Sequence, residues 1–448
     1  MPVSPARGAA FDILLRVERE SSYASELLHS AAYQKLSAPD HGLATELVMG
    51  VLRWRSLLDG KISQASSQPL KKLDLEVTIA LRLALYQFAY LTRIPQRAAL
   101  HESVELVKRA RKRSAAAFVN AVLRKLSQDP LCCSAPPAVH DFSAESLSTS
   151  FAHPKWLVDR WINHYGPEAT HRICPHNQSI PDTALRLRTS AAESQLQSEG
   201  ISLAPGRLLA QARQVLAGDV TKTQTFHDSK VVIQDEASQL IAALIGPGHN
   251  RILDCCAAPG GKTLAIADQN PDASITAVEI HPHRARLMQC RFPKDTRIET
   301  VVADARNFPR TQPFDRILAD VPCSGTGTLA HNPEIKWRLT PSDLAELQQR
   351  QRTILRSALQ HLKPRGQLIY STCSLEKEEN EDVIDQVLSD GNSFRLLDCR
   401  TELDRLQSSR MLTWCDLDSF THGPYLRTVP GIHPCDGFFA AILERAVE

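Results

Sequence analysis

The chain has 448 residues, enough for about three domains at roughly 150 residues each. Its composition, 43% hydrophobic and 23% charged, supplies several cores and excludes a disordered or fibrous protein. A net charge of only +2, from 52 basic and 50 acidic residues, excludes a polycation that coats nucleic acid along its whole length. Eleven cysteines cannot all pair, no CxxC occurs, and two pairs are adjacent (Cys132–Cys133 and Cys255–Cys256). That pattern suits neither a disulfide framework nor a zinc ribbon. The N-terminus has no signal-like apolar core, and no stretch approaches ~18 consecutive apolar residues. The expectation is a soluble cytoplasmic protein with reduced thiols, no membrane segment and no metal.

Residues 1 to about 130 read as helical throughout. Apolar residues recur at three- and four-residue spacing in Ala10–Val17, Leu43–Leu58, Val77–Leu91 and Val104–Leu126. Over 1–130 there are 19 basic against 12 acidic residues, with the densest run at Lys108, Arg109, Arg111, Lys112 and Arg113. Such a run is either a solvated helix face or an electrostatic contact with phosphates. Prolines break residues 131–225 into short pieces. An amphipathic helix around Trp156–His164 and a strand at Ala184–Leu187 predict a small α/β module there. From about 226 onward, short β-rich runs alternate with helical ones. The strands are Val231–Ile233, Arg251–Leu253, Ser274–Val278, Glu299–Val302, Arg316–Leu318 and Gln367–Tyr370. The helices are Leu264–Ala267, Arg284–Met288 and Ser342–Leu362. This alternation predicts a doubly wound sheet, whose ligand lies outside the carboxyl ends of its strands.

The residues at those strand ends carry the chemistry. After the first core strand comes a small-residue turn, Asp254-Cys-Cys-Ala-Ala-Pro-Gly-Gly-Lys-Thr263, leading into a helix. Backbone N–H groups in such a turn approach a polar or anionic ligand. It is not a Walker A loop, because the position that motif reserves for its first glycine is Cys256, and GxGxxG is absent. Glu279 ends the next strand, 19 residues after Gly260, the distance at which an acid meets ribose hydroxyls in this architecture. Asp304 and Asp320 end the third and fourth strands. Three acids at successive strand ends point to an adenosine-containing cofactor, although each alone could cap the following helix. Cys323, in Asp320-Val-Pro-Cys-Ser-Gly-Thr-Gly-Thr328, and Cys373, in Tyr370-Ser-Thr-Cys-Ser374, sit beyond the fourth and fifth strands. Both are candidates for chemistry in the crevice. Cys132, Cys133, Cys174, Cys290, Cys399 and Cys415 are expected to be small packing residues. Cys174-Pro-His176 and His281-Pro-His283 are too short and isolated for a zinc site.

DCCAAPGGKT (254–263), ADVPCSGTGTLAHNPEIKWR (319–338) and YSTCSLEKEEN (370–380) closely resemble the S-adenosylmethionine-dependent RNA cytosine-carbon-5 methyltransferases. LATELVMGVLRWRSLLD (43–59) and AAAFVNAVLRKL (115–126) resemble the NusB-type RNA-binding helical domain. QDEASQ (234–239) and PGIHPCDGFFAAIL (430–443), the latter expected to supply the terminal strand, extend the similarity over nearly the whole chain. The combination is similar to the bacterial 16S ribosomal RNA methyltransferases of the Sun/Fmu (RsmB) type. The resemblance implies a NusB-like all-α domain at 1–135, a small α/β RNA-contacting module at 136–225 and a Rossmann-like methyltransferase domain at 226–448. It implies Cys373 as the thiol that adds to carbon 6 of cytosine, Cys323 as the group assisting release, and Asp320 at the base edge. The residues alone do not rank the two cysteines. Cys256, Ala257, Ala258, Pro259, Gly260, Gly261, Lys262, Glu279, Asp304 and Asp320 would bind S-adenosylmethionine. The implied partner is 16S ribosomal RNA, met by a monomer; a transfer RNA methyltransferase and a non-catalytic NusB-like RNA-binding factor are the alternatives. Two departures stand out: Glu279 where aspartate is commoner, and Arg188 where many members have asparagine.

Overall fold

The computed structural model describes residues 3–446 apart from 21, 31, 34, 130–138, 294–296, 310, 311, 390 and 392. Cys132, Cys133 and the expected boundary at 135/136 lie outside the described residues. The chain divides into two compact units, one of residues 1–180 with 329–338, the other of residues 181–328 with 339–448.

The first unit is helical, as the apolar spacing predicts. Its organising element is the helix Leu75–Tyr90, in which every residue from Val77 to Phe88 is buried. A helix apolar on all sides needs neighbours on all sides. Pro5–Glu20, Ala38–Arg53, Arg55–Ala65, Gln96–Arg109 and Ala116–Gln128 supply them. Two of the apolar runs each become a pair of helices. Leu43–Leu58 breaks at Trp54, and Val104–Leu126 breaks across 110–115, where Arg111 takes a left-handed φ of 62°. Much of the basic run is spent in surface ion pairs: Lys108 with Glu105, Arg109 with Asp12 and Lys112 with Asp74. The helix expected near Trp156–His164 runs from Lys155 to Tyr165. Its apolar face, Leu157, Val158 and Trp161, is buried beside the helices Ala144–Ser150 and Pro167–Gln178. It therefore groups with the first unit, whereas the strand expected to accompany it belongs to the second.

Residues 329–338 are threaded into this helical unit. The Trp337 indole donates to the Leu52 carbonyl at 2.6 Å, and Lys336 Nζ to the Arg53 carbonyl at 3.0 Å. Arg53 in turn donates to the Ala330 carbonyl at 3.0 Å, and the Ala24 N–H to Glu334 at 2.8 Å. These groups end the helices Ala38–Arg53 and Ala24–Leu28, so the segment satisfies backbone groups that helix termini leave open.

The second unit contains two sheets. The smaller is antiparallel, of β1 (Thr183–Leu187), β2 (Ser202–Pro205), β3 (Ala212–Ala217) and β4 (Val231–Ile233), in the order β2-β3-β1-β4. Val231–Ile233, expected in the doubly wound sheet, instead pairs with β1, Leu185 opposite Ile233. The larger sheet holds β5 (Arg251–Asp254), β6 (Ser274–Glu279), β7 (Ile298–Val302), β8 (Phe314–Asp320), β9 (Leu362–Thr372), β10 (Phe394–Leu397), β11 (Thr421–His422), β12 (Tyr425–Thr428) and β13 (Phe438–Arg445). Its order is β11-β12-β13-β9-β8-β5-β6-β7, with β10 on β13. From β7 to β9 the strands are parallel, while β10 to β13 add antiparallel pairings, so the sheet is mixed. Successive residues feed opposite cores: Leu318, Ile369, Phe438 and Ile442 on one face, Ile317, Leu368, Tyr370 and Phe439 on the other. Burial on both faces is why these strands read as continuous apolar runs. No helix among the described residues is long and apolar enough to cross a membrane.

Glu236, the first residue of the helix Glu236–Ala243, is 1% exposed and holds the connection between β2 and β3 by accepting the N–H groups of Arg207, Leu208 and Leu209 at 2.7–2.9 Å. Glu236→Ala strands three donors, two of them on buried residues. It is expected to lower the unfolding free energy by roughly 3 kcal/mol, read from urea denaturation.

Candidate active site

Strand order reverses at β5: the chain passes from β5 to β6 and β7 on one side, then returns to place β8 on the other. Such a switch point opens a crevice at the carboxyl ends of the strands. The turn after β5 occupies it. Cys255 N–H donates to the Leu318 carbonyl and Ala257 N–H to the Val278 carbonyl, both at 2.9 Å, so the turn is stitched to the ends of β8 and β6. Gly260 has φ +98°, and a Cβ there would lie 2.8 Å from Met288 Cγ and 3.0 Å from the Phe292 ring. Both conformation and space demand glycine. The helix Gly261–Gln269 starts directly from it.

A cleft of about 230 Å³ lies against this turn. Cys256, Ala257, Ala258, Pro259, Gly261, Lys262 and Asp320 line it, together with Asp254. So do Ile233, Gln234, Asp235 and Ser238, which sequence reasoning did not place at the site. The signal for them was the QDEASQ string, whose Asp235 caps the helix Glu236–Ala243 by accepting the Ala237 N–H at 2.8 Å. Gly260 supports the turn from behind.

Asp254 is buried at the end of β5 and accepts the Thr263 hydroxyl at 2.7 Å. Its other carboxylate oxygen has no hydrogen-bond partner among the described residues. Burial pushes its pKa up to about 6. Asp320, the last residue of β8, is held on both oxygens: Lys262 Nζ at 2.7 Å and the Ser371 hydroxyl at 2.7 Å. Burial works against the Lys262 ammonium, but the neighbouring Asp320 carboxylate outweighs it, leaving the lysine above its ordinary value. Lys262 Nζ also lies 4.9 Å from the centroid of the Phe438 ring, a cation–π contact.

The two cysteines singled out at the strand ends meet. Cys323 Sγ lies 3.3 Å from Cys373 Sγ. Contact with Cys373, and then burial, hold the Cys323 thiol well above the ordinary cysteine value. The loop carrying Cys323 is locked from beneath. Gly327 N–H donates to the Cys373 carbonyl at 2.9 Å, and Gly437 N–H to the Gly327 carbonyl at 2.8 Å. A Cβ on Gly327 would come within 2.1 Å of the Gly437 carbonyl oxygen.

Other expected residues sit differently. Glu279 ends β6 as expected, buried, accepting the His281 N–H at 2.8 Å with Arg284 3.9 Å away. Asp304 lies two residues beyond β7, not at its end. Its side chain caps a short turn at Arg306 N–H, and hydrogen bonding to the Arg306 guanidinium holds its carboxyl below the usual range. Arg188 pairs with Asp268 at 2.7 Å and donates to the Ser229 carbonyl at 2.6 Å, so it is committed within the fold. Cys174 and Cys399 are buried packing residues, but Cys290 and Cys415 are exposed. Cys290 falls on the outer side of the helix Pro282–Arg291, whose buried positions are Ala285 and Met288.

Residues 242–444 match the 16S rRNA methyltransferase RsmB/F family, residues 4–128 the NusB family, and residues 153–216 the RsmF/B-like ferredoxin-like domain. The chain is 34% identical to the probable ribosomal RNA small subunit methyltransferase B of Bacillus subtilis (strain 168), over 99% of this chain and 100% of the relative. It belongs to the 16S rRNA methyltransferase RsmB/F family. Another member, the ribosomal RNA small subunit methyltransferase B of Vibrio cholerae, is 32% identical over 93% of this chain and 92% of its own. The crystal structure of PH0851 shares the fold at a TM-score of 0.79 and 22% identity, covering 99% of this chain and 100% of that one. The structure of NSun6 from Pyrococcus horikoshii with SFG superposes at a TM-score of 0.55 and 19% identity, over 66% of this chain and 99% of that one. The RsmB/F chain is thus a methyltransferase with a NusB N-terminal domain, a small middle domain and a Rossmann-like catalytic fold.

A carboxyl whose pKa is raised on folding binds its proton more tightly in the native state. Its contribution is therefore full below the unfolded value, near 4, and is lost as pH rises through about 6. Asp254→Asn is expected to remove this loss. Its unfolding free energy should change less than wild type between pH 4 and 6, by roughly 2–3 kcal/mol across the interval, measured by urea titration at each pH.

Proposed function

We propose that the chain methylates carbon 5 of a cytosine in 16S ribosomal RNA, using S-adenosylmethionine, with Cys373 as attacking thiol and Cys323 as release group. The observation that carries this reading is the 3.3 Å apposition of the two sulfurs at the strand ends, in the same crevice as the Asp320–Lys262 pair. Two chemically distinct thiols are needed when one forms a covalent bond and another must help to break it.

The cleft suits the cofactor. Its stitched small-residue turn presents backbone polar groups, and the free Asp254 oxygen can accept from a donor on a ligand. Cys256–Lys262, Glu279, Asp304 and Asp320 would hold S-adenosylmethionine, with Gln234, Asp235 and Ser238 completing the wall. When bound, it supplies an electrophilic methyl group on a sulfonium.

The protein's own part concerns the base. Carbon 5 of cytosine is a weak nucleophile. Addition of the Cys373 thiolate to carbon 6 turns the ring into an enamine-like species that is nucleophilic at carbon 5. Asp320 at the base edge favours charge development at N3, and Lys262 fixes the Asp320 carboxylate in place. After methyl transfer a base removes the carbon-5 proton, the C–H electron pair forms the 5,6 double bond that restores aromaticity, and the carbon 6–sulfur pair leaves with the Cys373 sulfur. Cys323, whose sulfur lies against that of Cys373, is placed to assist its departure. The cytosine must leave its stack to reach Cys373, which favours a flipped or single-stranded target. Within this reading, residues 1–135 dock RNA, 136–225 contact it, and 226–448 perform the chemistry. The enzyme acts as a cytoplasmic monomer without a metal.

Cys373→Ala is expected to abolish transfer of labelled methyl groups to a 16S ribosomal RNA fragment while RNA binding persists; wild-type turnover would refute the nucleophile assignment. Cys323→Ala is expected to accumulate a covalent protein–RNA adduct on a denaturing gel. If no adduct forms with Cys373 intact, the release role is wrong. Bisulfite sequencing of ribosomal and transfer RNA from a deletion strain identifies the cytosine.

A further inference from the structure

Beneath the two cysteine loops lies a buried carboxylate that the chemistry above does not use. Glu379 is 0% exposed, on the turn Lys377–Glu379 that follows the Cys373 loop. One of its oxygens accepts the Ser324 N–H at 2.8 Å and the Gln351 side-chain amide at 2.9 Å. The other accepts the Ser324 hydroxyl and, at 2.5 Å, the Ser374 hydroxyl. Ser324 follows Cys323 and Ser374 follows Cys373, so one carboxylate grips the residue next to each sulfur. The two hydroxyls are 3.0 Å apart. Gln351, itself 0% exposed, also donates to the Pro322 carbonyl at 3.0 Å, on the other side of Cys323. Among the described residues no lysine or arginine forms an ion pair with Glu379. The neighbouring Asn380 provides a contrast. Its amide oxygen accepts the Thr372 hydroxyl at 2.5 Å and its amide donates to the Ser374 carbonyl at 2.9 Å, so it holds the Cys373 loop alone.

A buried carboxylate without a cation is an expensive way to gain stability, because desolvation offsets most of what its hydrogen bonds return. Its value is geometric. Four charge-assisted bonds from two loops and one helix leave the loops little freedom to move apart. We infer that Glu379 is a positioning residue that sets the distance between Cys323 and Cys373, and that its consequence falls on release of the methylated base rather than on cofactor binding. The inference rests on the two-cysteine reading above. With the clamp loosened, Cys373 still reaches the base, but Cys323 no longer sits where it can assist departure.

The test uses the full-length enzyme with Glu379→Gln, and with Ser324→Ala/Ser374→Ala should the first variant not fold. Misplacement by an ångström or so is expected to lower kcat roughly 10- to 100-fold, with the KM for S-adenosylmethionine little changed. A covalent protein–RNA adduct should accumulate although both cysteines are present. A second measurement needs no RNA: diamide takes two electrons and two protons from the thiol pair, and the rate of Cys323–Cys373 disulfide formation reports their proximity. That rate should fall severalfold in the variants. A variant that loses melting temperature but shows wild-type disulfide formation and no adduct overturns the inference, since a merely structural role would do only that. Absence of adduct in Cys323→Ala under the same conditions overturns the two-cysteine reading and the release consequence with it. The disulfide rate then still decides whether Glu379 sets the spacing.

Discussion

The pairing of β8 with β9 is the constraint on which the site depends. In this parallel register Asp320 stands opposite Ser371, and the Val321 N–H closes the ladder onto the Ser371 carbonyl at 3.0 Å. The Ser371 hydroxyl then reaches across to the Asp320 carboxylate. Immediately beyond, the two chains part into the loops that carry Cys323 and Cys373. Their sulfurs are level because the strands beneath them are in step. A slip of one residue would turn Ser371 to the opposite face of the sheet and aim a neighbour at Asp320, since strand side chains alternate faces. The antiparallel β13 on the far side of β9 fixes that register again, with Phe439 opposite Thr372 and Ala440 opposite Ser371.

Above this backbone frame the site is assembled from buried and half-buried carboxylates, each held by a specific partner, with one Asp254 oxygen left over. Asp320 has Lys262 and Ser371, Asp254 has Thr263, and Glu279 has the His281 N–H. Networks of this kind add little net stability, but they penalise any arrangement that leaves a member unpaired. The close backbone contact of Gly327 with Gly437 acts in the same direction by steric means. Polar and steric restraints converge on the loop that follows β8, where positional tolerance is least.

Much of this was legible in the sequence, for a physical reason. Parallel strands buried on both faces leave short continuous apolar runs, and the loops at their ends carry small and reactive residues that stand out against them. Glu279 and Asp320 and the two cysteines were therefore found at strand ends, whereas Asp254, the first residue of the turn string, was not singled out. Elements whose meaning lies in a partner were not. Val231–Ile233 is three residues long and carries no mark of which sheet it joins. Asp304 was read as a strand end because an Asx cap two residues later looks the same in one dimension. Gln234, Asp235 and Ser238 come from the segment linking the two sheets, across a helix and a strand from the turn they face. Glu379 lies in a string of charges, Glu376-Lys-Glu-Glu379, that reads as a solvated turn; Lys377 is exposed, whereas Glu376 and Glu379 are buried.

The threading of residues 329–338 into the helical unit has a consequence for biosynthesis. Chains emerge from the ribosome amino end first, and amino-terminal domains ordinarily finish folding before later ones appear. Here the Leu52 carbonyl and the Ala24 N–H take Trp337 and Glu334 as partners from beyond Cys323, and the Arg53 carbonyl, which also accepts from Gln178, takes Lys336 from there. The first unit to be translated therefore completes these hydrogen bonds only once residue 338 has emerged. By then β8 and the Cys323 loop are already out, so the last step in completing the NusB-like half coincides with the appearance of one of the two site cysteines.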